Sequence, residues 1–261
     1  MSCHRLFLFV FTLVLSGAAR AVEPFGQDLA LLTEGAYVYE RNCMICHGAS
    51  GDGNGEWSKG LMPKPRSFRE GMFKFRTTPF GMLPTDADLQ RTIRGGLSGT
   101  AMGMFTVLGN DELRAVVEYV KSFSRRWRKL ENYGEPMHFE AVPPWMSEAS
   151  ARDAHVAPGK ILYNNACAVC HGAQADGNGP SAPLLTDIWK LPSKPSDLRQ
   201  EHLRCGDRPA DIYRILATGM NGTPMISYDA TLTPEQRWDI IAFILSVRVP
   251  SAPVLGGRTG G

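Results

Sequence analysis

The chain has 261 residues, with 28 Lys and Arg against 26 Asp and Glu, 18 prolines and 27 glycines. That length suits two domains of about 100 residues each better than one. The near-balance of charge argues against nucleic-acid binding, and a composition of 43% hydrophobic and 21% charged residues is that of an ordinary globular protein.

Residues 1–21 carry Arg5, then an apolar run at 7–15, then Ala19, Arg20 and Ala21. This is the layout of a secretory signal peptide cleaved after Ala21. The run is shorter than the roughly 20 apolar residues a bilayer crossing needs, so a soluble protein, periplasmic or otherwise exported, is expected. Retention as an N-terminal anchor is the alternative. Once these residues are removed the charges balance, yet residues 22–130 hold a formal +3 and residues 131–261 a formal −3. Such an asymmetry can orient a partner.

A helix is expected over 29–42, leading into CMICHGASGDGNG at 43–55. LMPKPRSFR (61–69) and DLQRTIRGGLSGTAM (88–102) follow. A closing helix has Leu113, Val116, Val117 and Val120 at i, i+3, i+4 and i+7, an apolar stripe at helical spacing. KSFSRRWRKL (121–130) then offers a basic cluster suited either to docking an acidic partner, through residues such as Arg128 and Lys129, or to a helix C-terminus. Residues 131–155 contain three prolines and no periodicity, which predicts an extended surface linker.

The second half repeats the first at a shift of 124 residues. GKILYNNACAVCHG (159–172) falls on GAYVYERNCMICHG (35–48), LPSKPSDLR (191–199) on 61–69, and DIYRILATGMNGTPM (211–225) on 88–102. A helix at 157–166 precedes the second cysteine motif. The last helix carries Ile240, Ile241, Ile244 and Leu245 on one face, with Thr233, Pro234 and Gln236 as its start signal. Strand and hairpin patterns are missing, so an all-α fold is expected. The organisation reads as a signal peptide at 1–21, domain 1 at 22–130, a linker at 131–155, domain 2 at 156–249 and a disordered tail at 250–261.

Cys43, Cys46 and His47, with Cys167, Cys170 and His171, are the chemistry-bearing residues. A zinc site drawing on all four cysteines would leave both histidines idle, and a redox dithiol would want a βαβ setting. A c-type haem uses every residue. Cysteines at i and i+3 face one side of a helical turn and add to two vinyl groups, while the adjacent histidine ligates iron. GTAM and GTPM end at Met102 and Met225, 55 and 54 residues after His47 and His171.

With these motifs both halves resemble the class I c-type cytochromes, over about four-fifths of the chain. The resemblance implies two tandem class I cytochrome c domains, two covalent haems, and Met102 and Met225 as sixth ligands. Ala101 stands where the motif has proline, so Met104 is a rival in domain 1, as Met220 is in domain 2. It also implies that Gly35 with Tyr39, and Gly159 with Tyr163, meet Tyr119 and Phe243 on the last helices. Lys64, Arg66, Lys194 and Arg199 are candidates for haem propionates or for plain surface charge. Glycines 51, 53, 55, 177 and 179 let the chain turn around the cofactor. His138, His155 and His202 lie outside the repeat and read as surface or linker residues. Cys205 reads as a small buried hydrophobe, with an intermolecular disulfide or iron ligation as alternatives. The expected function is electron transfer between redox proteins, such as a dehydrogenase, a cytochrome complex or a terminal reductase or oxidase. Peripheral association with a membrane complex is a further expectation on the partner side. The alternatives are a dihaem enzyme resembling peroxidases or thiosulfate dehydrogenases, and a haem subunit of a membrane-bound complex.

Overall fold

The computed structural model describes residues 28–249, so the expected signal peptide, Cys3 and the tail lie outside the described residues. Eight α-helices are present among them, with short 3-10 turns and a single isolated β-bridge, and no strand. In chain order they are α1 (Leu29–Asn42), α2 (Met44–His47), α3 (Asp86–Gly95), α4 (Asn110–Ser122), α5 (Ala149–Ala166), α6 (Ala168–His171), α7 (Pro209–Thr218) and α8 (Pro234–Val247). The helices form two groups of four in the same order, each around its own core.

The anchor of each group is a crossing of its first and last helix, α1 on α4 and α5 on α8. Close approach requires glycine. A Cβ on Gly35 would collide with the Ala115 carbonyl and the Tyr119 Cβ, and one on Gly159 with the Asp239 carbonyl and the Ile240 nitrogen. The expected aromatic contacts form beside these glycines, with Tyr39 and Tyr119 rings 5.3 Å apart and Tyr163 and Phe243 4.8 Å apart. The α4 stripe of Leu113, Val116, Val117 and Val120 is buried with Val38, Leu89 and Trp127. In the second group Ile240, Ile241 and Ile244 are buried with Ile212, Leu216 and Trp238, and Leu245 packs at the margin.

Helix starts follow their sequence signals. Thr233 Oγ1 accepts from the Gln236 N–H at 3.3 Å while Gln236 Oε1 accepts from the Thr233 N–H at 2.9 Å. Thr85 and Asp88 form the same reciprocal pair at α3. Asp88 is fully buried. Burial alone would raise its pKa, but the N–H groups of Thr77 and Thr85 and the Arg91 guanidinium hold it below the usual carboxylate range. A depressed pKa gives stability that is complete above about pH 4, the ordinary carboxylate value, and is lost as pH falls further. Asp88→Asn should therefore lower stability by about 2 kcal/mol at pH 7 and much less at pH 3. Urea midpoints at the two pH values test this, and equal losses at both would contradict it.

One expectation needs correction. Helix α5 begins at Ala149 instead of 157, so the end of the predicted linker is helical and Pro158 lies inside the helix. Pro158 looks like a first-turn proline in sequence. The extra turns are held from outside, because the His155 ring stacks on Trp145 at 3.6 Å and its Nδ1 lies 2.6 Å from Asp239 Oδ1. His155 is thus a packing residue, whereas His138 is exposed as expected and exposed His202 pairs with Asp207. The rest of the linker is extended apart from short 3-10 turns at Leu130–Asn132 and Pro144–Ser147. Its Met137 and Phe139 pack on the second core, Tyr133 packs on the first, and Met146 belongs to the second.

The basic cluster follows the helix-terminus alternative, with Lys121 in the last turn of α4. Lys121 is buried and bridges Asp86 and Glu118, and Arg126 donates to the carbonyls of Gly71 and Gly81. Only Arg125, Arg128 and Lys129 are left exposed, with Lys129 3.7 Å from Glu131.

Candidate functional site

Each cysteine motif is one tight helical turn. The N–H groups of Cys46 and His47 both donate to the Cys43 carbonyl, at 3.1 and 2.9 Å, and those of Cys170 and His171 to Cys167 at 3.1 and 2.8 Å. The two thiols of each pair therefore lie on one face. The Tyr39 hydroxyl donates to the Gly48 carbonyl at 2.8 Å and the Tyr163 hydroxyl to Gly172 at 2.9 Å, which pins the end of the turn to the first helix. Burial pushes the Cys43 and Cys167 thiols up to about 12, so they are protonated thiols rather than the low-pKa thiolates of a redox pair. Among the described residues no three His, Cys, Asp or Glu side chains gather to hold a metal, so a shared Cys₄ zinc site is not formed.

The histidines are aimed the same way. His47 Nδ1 lies 2.9 Å from the Arg66 carbonyl and His171 Nδ1 3.2 Å from the Ser196 carbonyl. A carbonyl only accepts, so Nδ1 carries the proton and Nε2 keeps its lone pair. Burial also holds both imidazoles below their ordinary pKa, which favours the neutral form a metal requires. The loops that follow bring the two carbonyls into place. At Gly53 and Gly177, with φ of 76° and 77°, a side chain would meet the carbonyls of Pro65 and Pro195.

The GT-x-M loops are also superimposable in their bonding. The Leu97 N–H donates to the Met102 carbonyl at 2.9 Å, and the Met220 N–H to Met225 at 2.9 Å. Thr100 Oγ1 donates to the Leu97 carbonyl and accepts from the Met102 N–H. Thr223 does the same between Met220 and Met225. The threonine thus fixes the turn, and alanine at 101 in place of proline leaves these bonds intact.

In the first half Cys43, Cys46, His47 and Met102 line one cleft, with Phe68, Phe73, Leu89, Ile93 and Phe105 among its walls. Met104 is 72% exposed. Met225 packs beside the second core. The donor set and the apolar cleft suit a c-type haem: paired thiols, a neutral imidazole with Nε2 free, and a thioether on the same cleft.

Of the other candidates, Lys64 donates to Asn54 Oδ1 at 2.7 Å and Arg199 is paired with Asp197 at 2.9 Å. Arg66 lies over the Trp189 ring at 4.0 Å, and Lys194 lines a polar groove between the two halves. Cys205 packs on the second core, and burial raises its thiol to about 11, which opposes a thiolate.

Sequence reasoning missed the residues that join the halves. Arg76 is fully buried and donates to the Thr218 carbonyl at 2.6 Å and the Gly219 carbonyl at 3.2 Å, immediately before the Met225 loop. Asn221 Nδ2 donates to the Met82 carbonyl at 2.9 Å, and the Gly81 N–H donates to Asn221 Oδ1 at 2.8 Å. These contacts span about 140 residues of chain and have no counterpart in the repeat, so no sequence signal marks them.

Comparison with known proteins gives the following. A profile described as cytochrome c matches residues 156–248, and one described as cytochrome c oxidase, cbb3-type, subunit III matches residues 30–120. The chain is 26% identical over 190 residues to the Cbb3-type cytochrome c oxidase subunit CcoP of Azospirillum brasilense, covering 66% of this chain and 53% of that protein. It is 27% identical over 182 residues to CcoP of a second Azospirillum, covering 64% and 52%. The chain thus spans about half the length of these curated relatives. A chain of the reducing HAO-like protein complex of Kuenenia stuttgartiensis matches with a TM-score of 0.77 and 35% identity, covering 83% of this chain and 96% of that one.

Proposed function

Because the chain belongs to the c-type cytochromes, as two tandem class I domains that carry covalent haem and serve haem-based electron transfer, we propose that it relays electrons between redox proteins outside the cytoplasm. The observation that carries this reading is the duplicated constellation of a CxxCH turn, a carbonyl-oriented histidine and a threonine-locked methionine. When bound, each haem supplies a one-electron Fe(II)/Fe(III) couple. Cys43 and Cys46 would hold the first group and Cys167 and Cys170 the second. His47 with Met102, and His171 with Met225, would ligate the irons. A thioether ligand there would favour the reduced state and leave no place for a substrate. The apolar walls exclude water and strengthen each polar contact inside. We take the domains as 22–130 and 156–249, with the helical entry from Ala149 belonging to the second.

A second reading is a haem-bearing subunit of a membrane-bound respiratory complex. It is favoured by the profile over residues 30–120 and by CcoP itself. No helix among the described residues is long and apolar enough to cross a membrane, so attachment in that case would be through a partner or through residues outside the described ones. A catalytic role gains support only from the HAO-like complex that contains the structural neighbour.

The test is a visible and near-infrared spectrum of the purified protein, oxidised and reduced, with and without carbon monoxide. Two low-spin c haems per chain, both showing the far-red methionine–Fe(III) band and neither binding carbon monoxide, are expected. Met102→Ala and Met225→Ala should each remove one band and open one haem to carbon monoxide. A wild-type haem that binds carbon monoxide would overturn the carrier and direct the search to a substrate.

A further inference from the structure

The first cleft has a charged rim that its own half does not complete. Arg66, Lys74 and Arg204 line it, and Arg204 comes from the second half. Lys74 is close to the other two: after burial, Arg66 and Arg204 are the groups that hold its ammonium down, to about 8. Among the described residues none of the three donates a hydrogen bond or closes an ion pair, and Arg66 has only the face of Trp189 beneath it. Asp187 is near enough to act on Arg66 and Lys74, and Glu70 on Arg66, but neither closes an ion pair with them, and Asp187 Oδ1 accepts from the N–H groups of Trp189 and Leu191. Arg66 and Lys74 are partly withdrawn from water, and cations so placed are costly unless an anion joins them. Arg204 also lines the polar groove with Ser98 and Gly99, so it sits where the Met102 loop meets the second half.

We propose that Arg204 of the second domain, with Arg66 and Lys74 of the first, binds the two carboxylates of the first domain's haem, so that this cofactor site is shared between domains. This rests on the haem reading above and extends it. A guanidinium offers a carboxylate two parallel N–H donors, and an ammonium a third direction of approach. Trp189 supports Arg66 from the second domain, so two of the contacts that set the rim depend on the domains being docked. Positive charge beside an iron favours the added electron. The second domain therefore raises the potential of the first haem, and separating the domains lowers it.

The experiment is a potentiometric titration of the full haem-loaded chain, wild type against Arg204→Gln and Arg204→Lys. The first-domain haem is identified as the component displaced by Met102→His. Arg204→Gln should shift the Fe(II)/Fe(III) ratio of that haem about tenfold toward the oxidised form at fixed potential, which is 59 mV for a one-electron couple, and leave the other haem unmoved. Arg204→Lys should restore most of the shift, and Lys74→Gln should lower the same component. With both haems present and low-spin, an unmoved first component would overturn the shared site while leaving the carrier intact. An equal fall in Arg204→Lys and Arg204→Gln would assign Arg204 a packing role only. Absence of haem 1 from the wild type would overturn both readings.

Discussion

Replacing Gly159 by valine is expected to cost the second domain about 3 kcal/mol, a large part of the margin of a small domain. The new Cβ would enter the space of the Asp239 carbonyl and the Ile240 nitrogen, which are backbone and cannot rotate away. α5 and α8 would have to part, which unpacks Tyr163 from Phe243 and loosens the hydroxyl bond from Tyr163 to the Gly172 carbonyl. That bond secures the turn carrying Cys167, Cys170 and His171, so haem attachment in the second domain should fall along with stability. Urea unfolding by far-UV circular dichroism, together with the haem content per chain, measures both. Gly95→Ala is the matched control, because nothing lies within 4 Å of a Cβ there and its φ is not positive. It should stabilise by about 0.5 kcal/mol through the unfolded chain. A Gly159→Val protein with the wild-type midpoint and two haems would show that the crossing has slack that its backbone contacts deny.

Arg76→Met should have the other large effect, and it should fall on both domains at once. The guanidinium reaches the carbonyls of Pro79, Thr218 and Gly219 from a fully buried position. Burial lowers its pKa to about 10, which still leaves it charged at neutral pH. Methionine fills similar volume but removes three hydrogen bonds and leaves the Thr218 carbonyl without a donor, while Pro79 and Gly219 keep the Met82 N–H and the Thr218 hydroxyl. Hydrogen bonds from charged groups contribute about 1.5–3 kcal/mol each, so a loss of about 3 kcal/mol at the interface is expected. Single-step unfolding should split into two steps as the domains lose their coupling. Since Thr218 and Gly219 lead into the Met225 loop, the far-red band of the second haem should weaken while that of the first persists. Arg76→Lys, which keeps the charge but not the three-way reach, should fall between the two. One unchanged transition in Arg76→Met would show that the remaining contacts, those of Asn221 and of Trp189 on Arg66, suffice to join the domains.

Much of the site was legible before any coordinates. The cysteines, histidines and methionines are fixed by short-range chemistry: two thiols per turn, an adjacent imidazole and a threonine two residues before the sulfur. Repetition made each signal count twice. The α4 and α8 stripes were legible for the same reason, since a 3.6-residue period needs no knowledge of what it packs against. Other features escaped. Pro158 in α5 mimics a helix start, and only the stacking of His155 on Trp145 and its pairing with Asp239 reveal that the helix extends further back. Lys121 and Arg126 looked like part of a basic docking face, and only their partners Asp86, Glu118, Gly71 and Gly81 show that they are turned inward.

By itself the sequence determined the all-helical class, the duplication and the type of cofactor, because each is written in local periodicity or in residues a few positions apart. The tertiary structure decided which methionine faces the first cleft, which cations are left without acceptors, and how the first domain grips the chain leading into the methionine loop of the second. The last two outcomes depend on side chains more than a hundred residues apart in the chain. Their meeting is set by packing and by the need of buried charges and carbonyls for partners, and neither leaves a pattern in a single sequence.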